Sequence, residues 1–282
     1  KELSSVQHKV SSPRLQDFMN WRLHESDHLP RPMLLMARNN IRGLRRKRRD
    51  PAFAPVWEKL VKGLQRGPSR GLRALLESDP AQIWRLACEM RAEAPLRARM
   101  TLLGRDFADV YSPVGGRGIT PFAEQYDLIA ATGVFSPDEE REIRAMLLLM
   151  GHLFMEEDFM NWRFNSRNAN FEADRTDIVG TVGLAFRGNP DADGMVRHAS
   201  DLMERSLNVY CTPGSGKWYE NPACYYIHAA SCRLNLAFHL WNHGLMDVAA
   251  IPRLKDFLSW GPLLLTAPYP HDYALLRDGC SF

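Results

Sequence analysis

The chain has 282 residues, of which 45% are hydrophobic and 24% are charged, so it can bury one large core or two small ones. A net charge of +3 is too small to indicate a nucleic-acid partner, and no apolar run is long enough to predict a membrane span. The five cysteines include no Cys-x-x-Cys pair and indicate neither a disulfide framework nor a zinc cluster. Because most cations are arginine, an anionic ligand remains compatible with the composition.

Helical periodicity begins near residue 38, and the first predicted helix, 38–49, carries seven Lys or Arg residues. Such a run is also found in nucleic-acid-binding proteins, but Ile41 and Leu44 mark a buried face and no aromatic side chains alternate with the charges. The run therefore predicts a solvent-exposed helix face. Further helices are predicted at 52–64, 69–77 and 80–103.

The middle of the chain predicts a helical hairpin. One helix, 122–132, ends at Gly133, and the next begins in a capping box at Ser136 with Pro137 in the first helical position. Because the loop between them is short, the two helices are predicted to lie antiparallel. The remaining helices are predicted at 174–187, 193–210, 221–243 and 252–265. Without convincing strands, the sequence predicts an all-α fold of antiparallel hairpins, which can form a bundle, a solenoid or a closed ring.

The segment 161–170 is rich in side chains that suit acidic sugars. Its asparagines and arginines can hydrogen-bond a carboxylate, and its aromatic rings offer flat faces to a sugar. Ordinary turn and cap hydrogen bonds explain the asparagines equally well. The candidate substrate-binding residues are Trp162, Arg163, Asn165 and Arg167, and the candidate catalytic residues are Asn168 and Asn170.

A second candidate segment, 214–228, joins a Gly-rich turn to a helix. Tyr225 and His228 fall on one face of that helix, so a phenol and an imidazole can point into one cleft. Aromatic residues at a helix start are also common in protein cores. Tyr225 and His228 are candidate catalytic residues, and Trp218, Tyr219 and Glu220 are candidate substrate-binding residues.

Cys224, His228 and Cys232 lie at four-residue steps, which is a spacing that zinc ligands can have. No fourth ligand is evident, and small buried residues explain two of the three. The sequence therefore predicts no metal site and no cofactor. It also contains no phosphate-loop, dinucleotide-binding or Gly-x-Ser-x-Gly pattern, which weighs against nucleotide binding and serine hydrolysis.

The chain carries a series of short motifs in a fixed order. They are Arg31-Pro32-Met33-Leu34-Leu35, Ile41-Arg42-Gly43-Leu44-Arg45, Tyr126-Asp127-Leu128-Ile129-Ala130 with Gly133, the Asn-Trp-x-x-Asn loop from Asn161, the helix around Gly180 to Leu184, Gly216-Lys217-Trp218-Tyr219-Glu220, and Tyr225. In their order, and in the 57 residues between Asn168 and Tyr225, they resemble the heparinase II/III-like and alginate lyase superfamily.

The resemblance implies a fold and a domain organisation. Such lyases have an incomplete ring of paired α-helices, an (α/α) toroid, followed by antiparallel β-sheet domains. We therefore expect an N-terminal extension at residues 1–30 and a helical toroid domain at 31–282, with a β-sandwich domain beyond Phe282. The resemblance also implies a periplasmic or secreted enzyme.

The chemistry implied by the resemblance is β-elimination on a polysaccharide that contains uronic acids. Abstracting the C5 proton of a uronate requires its carboxylate to be neutralised, which Asn and Arg side chains can do. A Tyr or His takes the proton, and a Tyr returns one to the leaving glycosidic oxygen without a metal. The neutralising role is expected of Asn168 or Asn170 with Arg163 or Arg167, and the catalytic tyrosine is expected to be Tyr225.

Three features depart from the family pattern. Ala169 stands where the family often has His, and Ser215 stands where Asp would precede Gly216. The family's further His, from a later part of the protein, has no clear counterpart, and His271 is a poor substitute. Glu220, which is present in the chain as in the family motif, is expected to orient the Gly-rich turn that precedes it.

Two other functions stay open. A non-catalytic protein that binds acidic glycans is compatible with the departure at Ala169. A glycoside hydrolase requires two carboxylates that flank the scissile bond. The candidate carboxylates are Glu156, Glu157, Asp158, Glu172, Asp174, Asp177 and Glu220.

Overall fold

The computed structural model describes residues 24, 31–63, 68–103, 116–155, 169–247, 250–251 and 253–264. Within these ranges the chain is all-helical, and the only extended pairing there is a β-bridge between Cys211 and Trp218. The α-helices are α1 (Asn40–Arg48), α2 (Ala54–Gly63), α3 (Pro68–Glu77), α4 (Pro80–Leu103), α5 (Ile119–Ala130), α6 (Pro137–Met155), α7 (Ala169–Ala185), α8 (Pro190–Tyr210), α9 (Ile227–Asn242) and α10 (Leu254–Leu263). A π-helical turn, Pro222–Tyr226, leads directly into α9. The predicted all-α class is confirmed.

Most helix boundaries lie within a few residues of those predicted. The capping box forms, because the Ser136 amide donates to the Glu139 carboxylate at 2.9 Å and the Glu139 amide donates to the Ser136 hydroxyl at 3.4 Å. Gly133 adopts the expected left-handed conformation after α5, with φ of 72°. Two helix starts differ more: α7 begins at Ala169 rather than at 174, and α9 begins at Ile227 rather than at 221 because the π-helical turn precedes it. The first turns of α7 bury polar side chains, and a hydrophobicity pattern does not detect such a helix start.

Helices α3 to α9 alternate between two layers, and α1 joins the first of them. Helices α1, α3, α5, α7 and α9 contact one another in that order, and α4, α6 and α8 do the same. Each of these eight helices therefore packs against the next one in its own layer, as expected when antiparallel helix pairs repeat side by side. As a result α5, α7 and α9 are neighbours in one layer.

Helix α7 lies at the centre of the core. All of its residues except Phe171 are buried, and it contacts α5, α6, α8 and α9. The close approach of α7 to α8 and α9 depends on two glycines. A Cβ at Gly180 would overlap Leu236 of α9, and one at Gly183 would lie 2.8 Å from the Ala192 carbonyl oxygen of α8. Helix α7 is thus fixed between α8 and α9.

The segment before α1 is tied to α5 through Asp127, which is fully buried. Its carboxylate accepts a hydrogen bond from Arg31 at 3.0 Å, and others from the amides of Met33 and Leu34 at 2.8 and 2.9 Å. The Arg31 guanidinium also lies 4.9 Å from the ring centre of Tyr126. We call Asp127, Arg31, Met33 and Leu34 the Asp127 node. This node joins two of the motif segments in space.

The basic helix α1 lies on the surface, with none of its residues fully buried. Arg45 donates to the Leu75 carbonyl at 2.7 Å, and Ile41 and Leu44 pack against a small apolar cluster that includes Leu75 and Leu128. The predicted solvent-exposed basic face is confirmed. None of the helices in the described ranges is both long enough and apolar enough to cross a membrane.

Candidate functional site

A buried carboxylate, Asp174 of α7, brings together side chains from three neighbouring parts of the fold. Its Oδ1 lies 2.5 Å from Nε2 of His228 at the start of α9. Both of its oxygens lie 3.0 Å from Nε of Arg117, which shortly precedes α5. Sγ of Cys232 lies 3.6 Å from Nε2 of His228 and 3.9 Å from Oδ1 of Asp174. We call these four residues the Asp174 cluster.

Two partners of Asp174, His228 and Arg117, reach solvent, although the carboxylate and Cys232 are buried. The side chain of Asp174 is 3% exposed, whereas those of His228 and Arg117 are 30% and 38% exposed. Asp174, ion-paired with Arg117, accepts a hydrogen bond from Nε2 of His228. A neutral imidazole with its proton on Nε2 has a free lone pair on Nδ1. The arrangement can therefore provide a general base oriented by a buried carboxylate.

Further polar pairs follow the Asp174 cluster along the same helices. Asp177 accepts a hydrogen bond from Asn235 at 3.0 Å, and His239 lies between Glu124 at 3.0 Å and the Leu34 carbonyl at 3.1 Å. Residue numbers rise together along α5, α7 and α9, so these helices run parallel. The Asp174 cluster lies within the first two turns of α7 and α9 and just before α5. Burial raises the pKa of Asp177 to about 7, although the hydrogen bond from Asn235 acts in the opposite direction.

The Gly-rich turn after α8 is fixed against the start of α10. Gly216 has φ of 68°, and a Cβ at this position would overlap the Asp256 carbonyl oxygen, so only glycine fits. The Gly214 amide donates to the Asp256 carboxylate at 3.1 Å. Within the turn, the Thr212 amide donates to the Lys217 carbonyl at 2.9 Å. These contacts set the position of the residues that follow the turn.

Trp218 lies in the core, with almost none of its side chain exposed. Its ring meets Phe257 of α10 at a centroid distance of 5.1 Å, and the guanidinium of buried Arg233 lies 4.7 Å from its centre. The prediction that Trp218 binds substrate does not fit this position, because its ring faces pack against protein. Trp218 instead anchors the turn.

Glu220 connects the turn to the Asp174 cluster. Its carboxylate accepts hydrogen bonds from Nε1 of Trp218 at 3.3 Å and from the amide of Asn170, and it interacts electrostatically with His228. Burial raises the pKa of Glu220 above its ordinary value. These bonds are compatible with the expected role of Glu220 in orienting the turn.

Tyr219 is the exposed aromatic residue of the turn. It borders a groove of about 620 Å³ between the end of α8 and the turn. The groove is also lined by two cationic residues, Lys217 and Arg253. A sugar acid in this groove would meet a flat ring and two positive charges.

The other predicted site residues differ in their positions. Tyr225 lies in the π-turn, three residues before His228, and is 46% exposed. Asn170 is buried at the start of α7, so its predicted contact with a substrate carboxylate does not fit its position. Trp162, Arg163, Asn165, Arg167 and Asn168 lie outside the described residues.

Two members of the Asp174 cluster, Asp174 and Arg117, were not predicted to lie beside His228. From the sequence, Asp174 is one of several candidate carboxylates, and Arg117 lies in a Gly-rich stretch without helical spacing. Their pairing with His228 depends on how α5, α7 and α9 pack, which spacing along one helix does not indicate. Cys224, which the spacing grouped with His228 and Cys232, is exposed, and Asp174 is the residue that lies beside them.

The Asp174 cluster and the groove at Tyr219 are therefore the features from which a function can be argued. The chain was compared with known families, curated proteins and solved structures. No family model matches it, and neither a curated protein nor a solved structure matches it.

Proposed function

We propose that this chain is the helical part of a polysaccharide lyase that cleaves a uronic-acid-containing glycan by β-elimination. The observation that carries the proposal is the Asp174 cluster, in which a buried carboxylate orients a partly exposed imidazole. Such a reaction needs a base next to groups that stabilise an anion. In the Asp174 cluster, His228 can act as the base and Arg117 can stabilise the anion.

Three features favour an anionic substrate. Helix α5 begins at Ile119, two residues after Arg117, and the partial positive charge of a helix N-terminus attracts anions. The guanidinium of Arg117 is partly exposed, so it can approach a uronate carboxylate while it pairs with Asp174. Lys217 adds positive charge in the groove beside Tyr219. In this proposal Arg117 shares the neutralising role with Asn168.

In the proposed reaction, Nδ1 of His228 takes the C5 proton of the uronate. The electron pair of the broken C–H bond forms a double bond between C4 and C5, and the bond from C4 to the glycosidic oxygen breaks. Tyr225, three residues before His228 and partly exposed, donates its phenolic proton to the leaving oxygen. Asp174 stabilises the imidazolium. Proton transfer from the imidazolium to the tyrosinate then restores both groups.

We also propose the toroid and the following β-sandwich domain that the motif resemblance implies. Support for the toroid comes from the alternation of helices between two layers, which an incomplete ring of helix pairs requires. A solenoid of helix pairs requires the same alternation. Support for the resemblance comes from the Asp127 node, because Arg31 and Asp127 belong to two different motifs and bind each other directly.

The test is to incubate the protein with a panel of uronate polymers and to follow the ultraviolet absorbance of the unsaturated product. We expect turnover of at least one polymer. His228→Gln and Tyr225→Phe should each lower kcat by about 100-fold or more, because each removes a proton-transfer group. Ser231→Ala is the matched control, since it removes an exposed hydroxyl from α9 and should leave turnover unchanged.

Other outcomes would contradict the proposal in distinct ways. If the ultraviolet absorbance rose with none of the polymers, elimination on these polymers would be refuted. Reducing ends released without ultraviolet absorbance would indicate a hydrolase, with Asp174 and Glu220 among its candidate carboxylates. Binding of an acidic glycan that survives Tyr225→Phe, without turnover in either protein, would indicate a binding protein.

A further inference from the structure

The Asp174 cluster contains three potential metal ligands. Oδ1 of Asp174, Nε2 of His228 and Sγ of Cys232 all lie within 4.8 Å of one another. Carboxylate, imidazole and thiolate are the ligand types that zinc takes in proteins. No ligand set of this composition is apparent from sequence spacing, because Asp174 comes from a different helix.

The separations among these atoms fit a tetrahedral ion. Zinc–ligand bonds of about 2.0–2.3 Å place neighbouring ligand atoms roughly 3.3–3.6 Å apart. The sulfur of Cys232 lies 3.6 Å from His228 and 3.9 Å from Asp174. The 2.5 Å separation of Asp174 and His228 is shorter because these two atoms share a hydrogen bond. An ion in place of the bridging proton requires them to move apart by roughly 1 Å or less.

We propose that Asp174, His228 and Cys232 bind one divalent transition-metal ion of the zinc class, with a fourth position open to water. Three protein ligands and one open position are typical of zinc sites that exchange a ligand. His228 reaches solvent and so gives the ion access to the site. On binding, the Cys232 thiol loses its proton to solvent, and the His228 ring stays neutral because its proton moves from Nε2 to Nδ1.

The surroundings of Asp174 support this ligand set. Arg117 lies 3.0 Å from both carboxylate oxygens, so it can remain bonded to Oδ2 while Oδ1 binds the ion. The carboxylate and the thiolate together carry two negative charges, which balance the charge of a divalent ion. The remaining positive charge, on Arg117, is partly exposed to water, which screens it.

The consequence for activity rests on the proposed function. With a metal on Nε2, the His228 ring carries its proton on Nδ1 and has no lone pair to accept the C5 proton. The ion therefore inhibits the lyase, and a chelator restores turnover. Cys232→Ser removes one ligand, so the turnover that this variant has without metal should no longer be inhibited by zinc.

Cobalt(II) is a suitable probe because a cobalt–thiolate bond has a charge-transfer band in the near ultraviolet. Titration of the unmodified protein should give this band with one equivalent of bound ion. Cys232→Ser and His228→Gln should each lose the band. Cys224→Ser is the matched control, because it removes an exposed cysteine near the same helix and should retain the band. Thermal melting of each metal-free variant checks that it is folded.

Absence of the band in the unmodified protein would overturn the site. If the band were lost in Cys224→Ser but retained in Cys232→Ser, the proposed site would also be overturned. The ion would then be assigned to the exposed thiol of Cys224. These readouts need no substrate, so they test the metal site even in a protein that turns over none of the polymers. Zinc binding with unchanged turnover would refute the inhibition and leave the lyase proposal intact.

Discussion

Asp127 and Asp174 are both buried aspartates paired with an arginine, yet their other partners differ. The Asp127 carboxylate meets a buried guanidinium and two backbone amides. The Asp174 carboxylate meets an imidazole and a guanidinium that both reach solvent. Asp127 joins two segments of the chain, whereas Asp174 orients a titratable ring at the surface.

The partners of a buried carboxylate indicate whether it has a functional role. Backbone amides neither gain nor lose protons, so the Asp127 node has one fixed arrangement. The imidazole next to Asp174 can accept a proton, and with the neighbouring thiol it can bind a metal ion. Burial of the carboxylate is common to both sites, and the chemistry of its partners distinguishes them.

The largest expected effect is on folding at the Asp127 node. Asp127→Ala leaves the Arg31 charge buried and two backbone amides without their acceptor, so we expect the free energy of unfolding to fall by about 3–5 kcal/mol. Urea denaturation measures this loss. Asp201→Ala, at an exposed position of α8, is the matched control and should change stability little. A loss of less than about 1 kcal/mol at Asp127 would remove the proposed distinction between the two sites.

At Asp174 we expect the main loss in catalysis. Asp174→Asn keeps the shape of the side chain but can donate to Nε2 and so favour the wrong tautomer of His228. On the substrate found for the unmodified protein, kcat should fall by about 100-fold, which corresponds to about 3 kcal/mol. Stability should fall less than in Asp127→Ala, because His228 and Arg117 can be solvated. Equal stability losses in the two variants would contradict the comparison.

Gly216→Ala tests whether the turn near the Asp174 cluster depends on its backbone geometry. The new Cβ would overlap the Asp256 carbonyl oxygen at a positive φ, so we expect a loss of about 1–3 kcal/mol in unfolding free energy. Gly194→Ala, in α8 with open space around it, is the control and should be neutral or slightly stabilising. Chemical denaturation measures the unfolding free energy of both variants. Equal stability in both would show that the turn tolerates a side chain.

The smallest expected effect concerns Asp177, beneath the Asp174 cluster. Its folded-state pKa is raised to about 7, so the folded protein binds a proton that the unfolded chain has already released at neutral pH. The stability that this proton contributes is complete in acid and is lost as pH rises through about 7. Between about pH 6 and 8 the loss should be on the order of 1 kcal/mol.

Asp177→Asn should remove this pH dependence, because an amide does not titrate. Denaturation of the variant and the unmodified protein across that pH range compares the two slopes. Asp201→Asn, at an exposed site, should keep the slope of the unmodified protein. An unchanged slope in Asp177→Asn would assign the dependence to another group.

The helices and their caps were predictable because they depend on neighbours along the chain. The capping box at Ser136 and the turn at Gly133 are local in this sense. The candidate site was predictable only in part, since His228 was identified but its partner Asp174, 54 residues away, was not. Their contact depends on the packing of α7 against α9. The burial of Trp218 likewise depends on a helix that comes later in the chain.

The shortest fragment that can preserve the candidate site must include helix α10. The Gly-rich turn contacts Asp256, the Trp218 ring packs on Phe257, and the Tyr226 hydroxyl of the π-turn donates to the Phe257 carbonyl at 2.8 Å. A fragment that ended before Leu254 would retain every member of the Asp174 cluster but would expose the turn to water. We expect limited proteolysis to cut such a fragment at the turn.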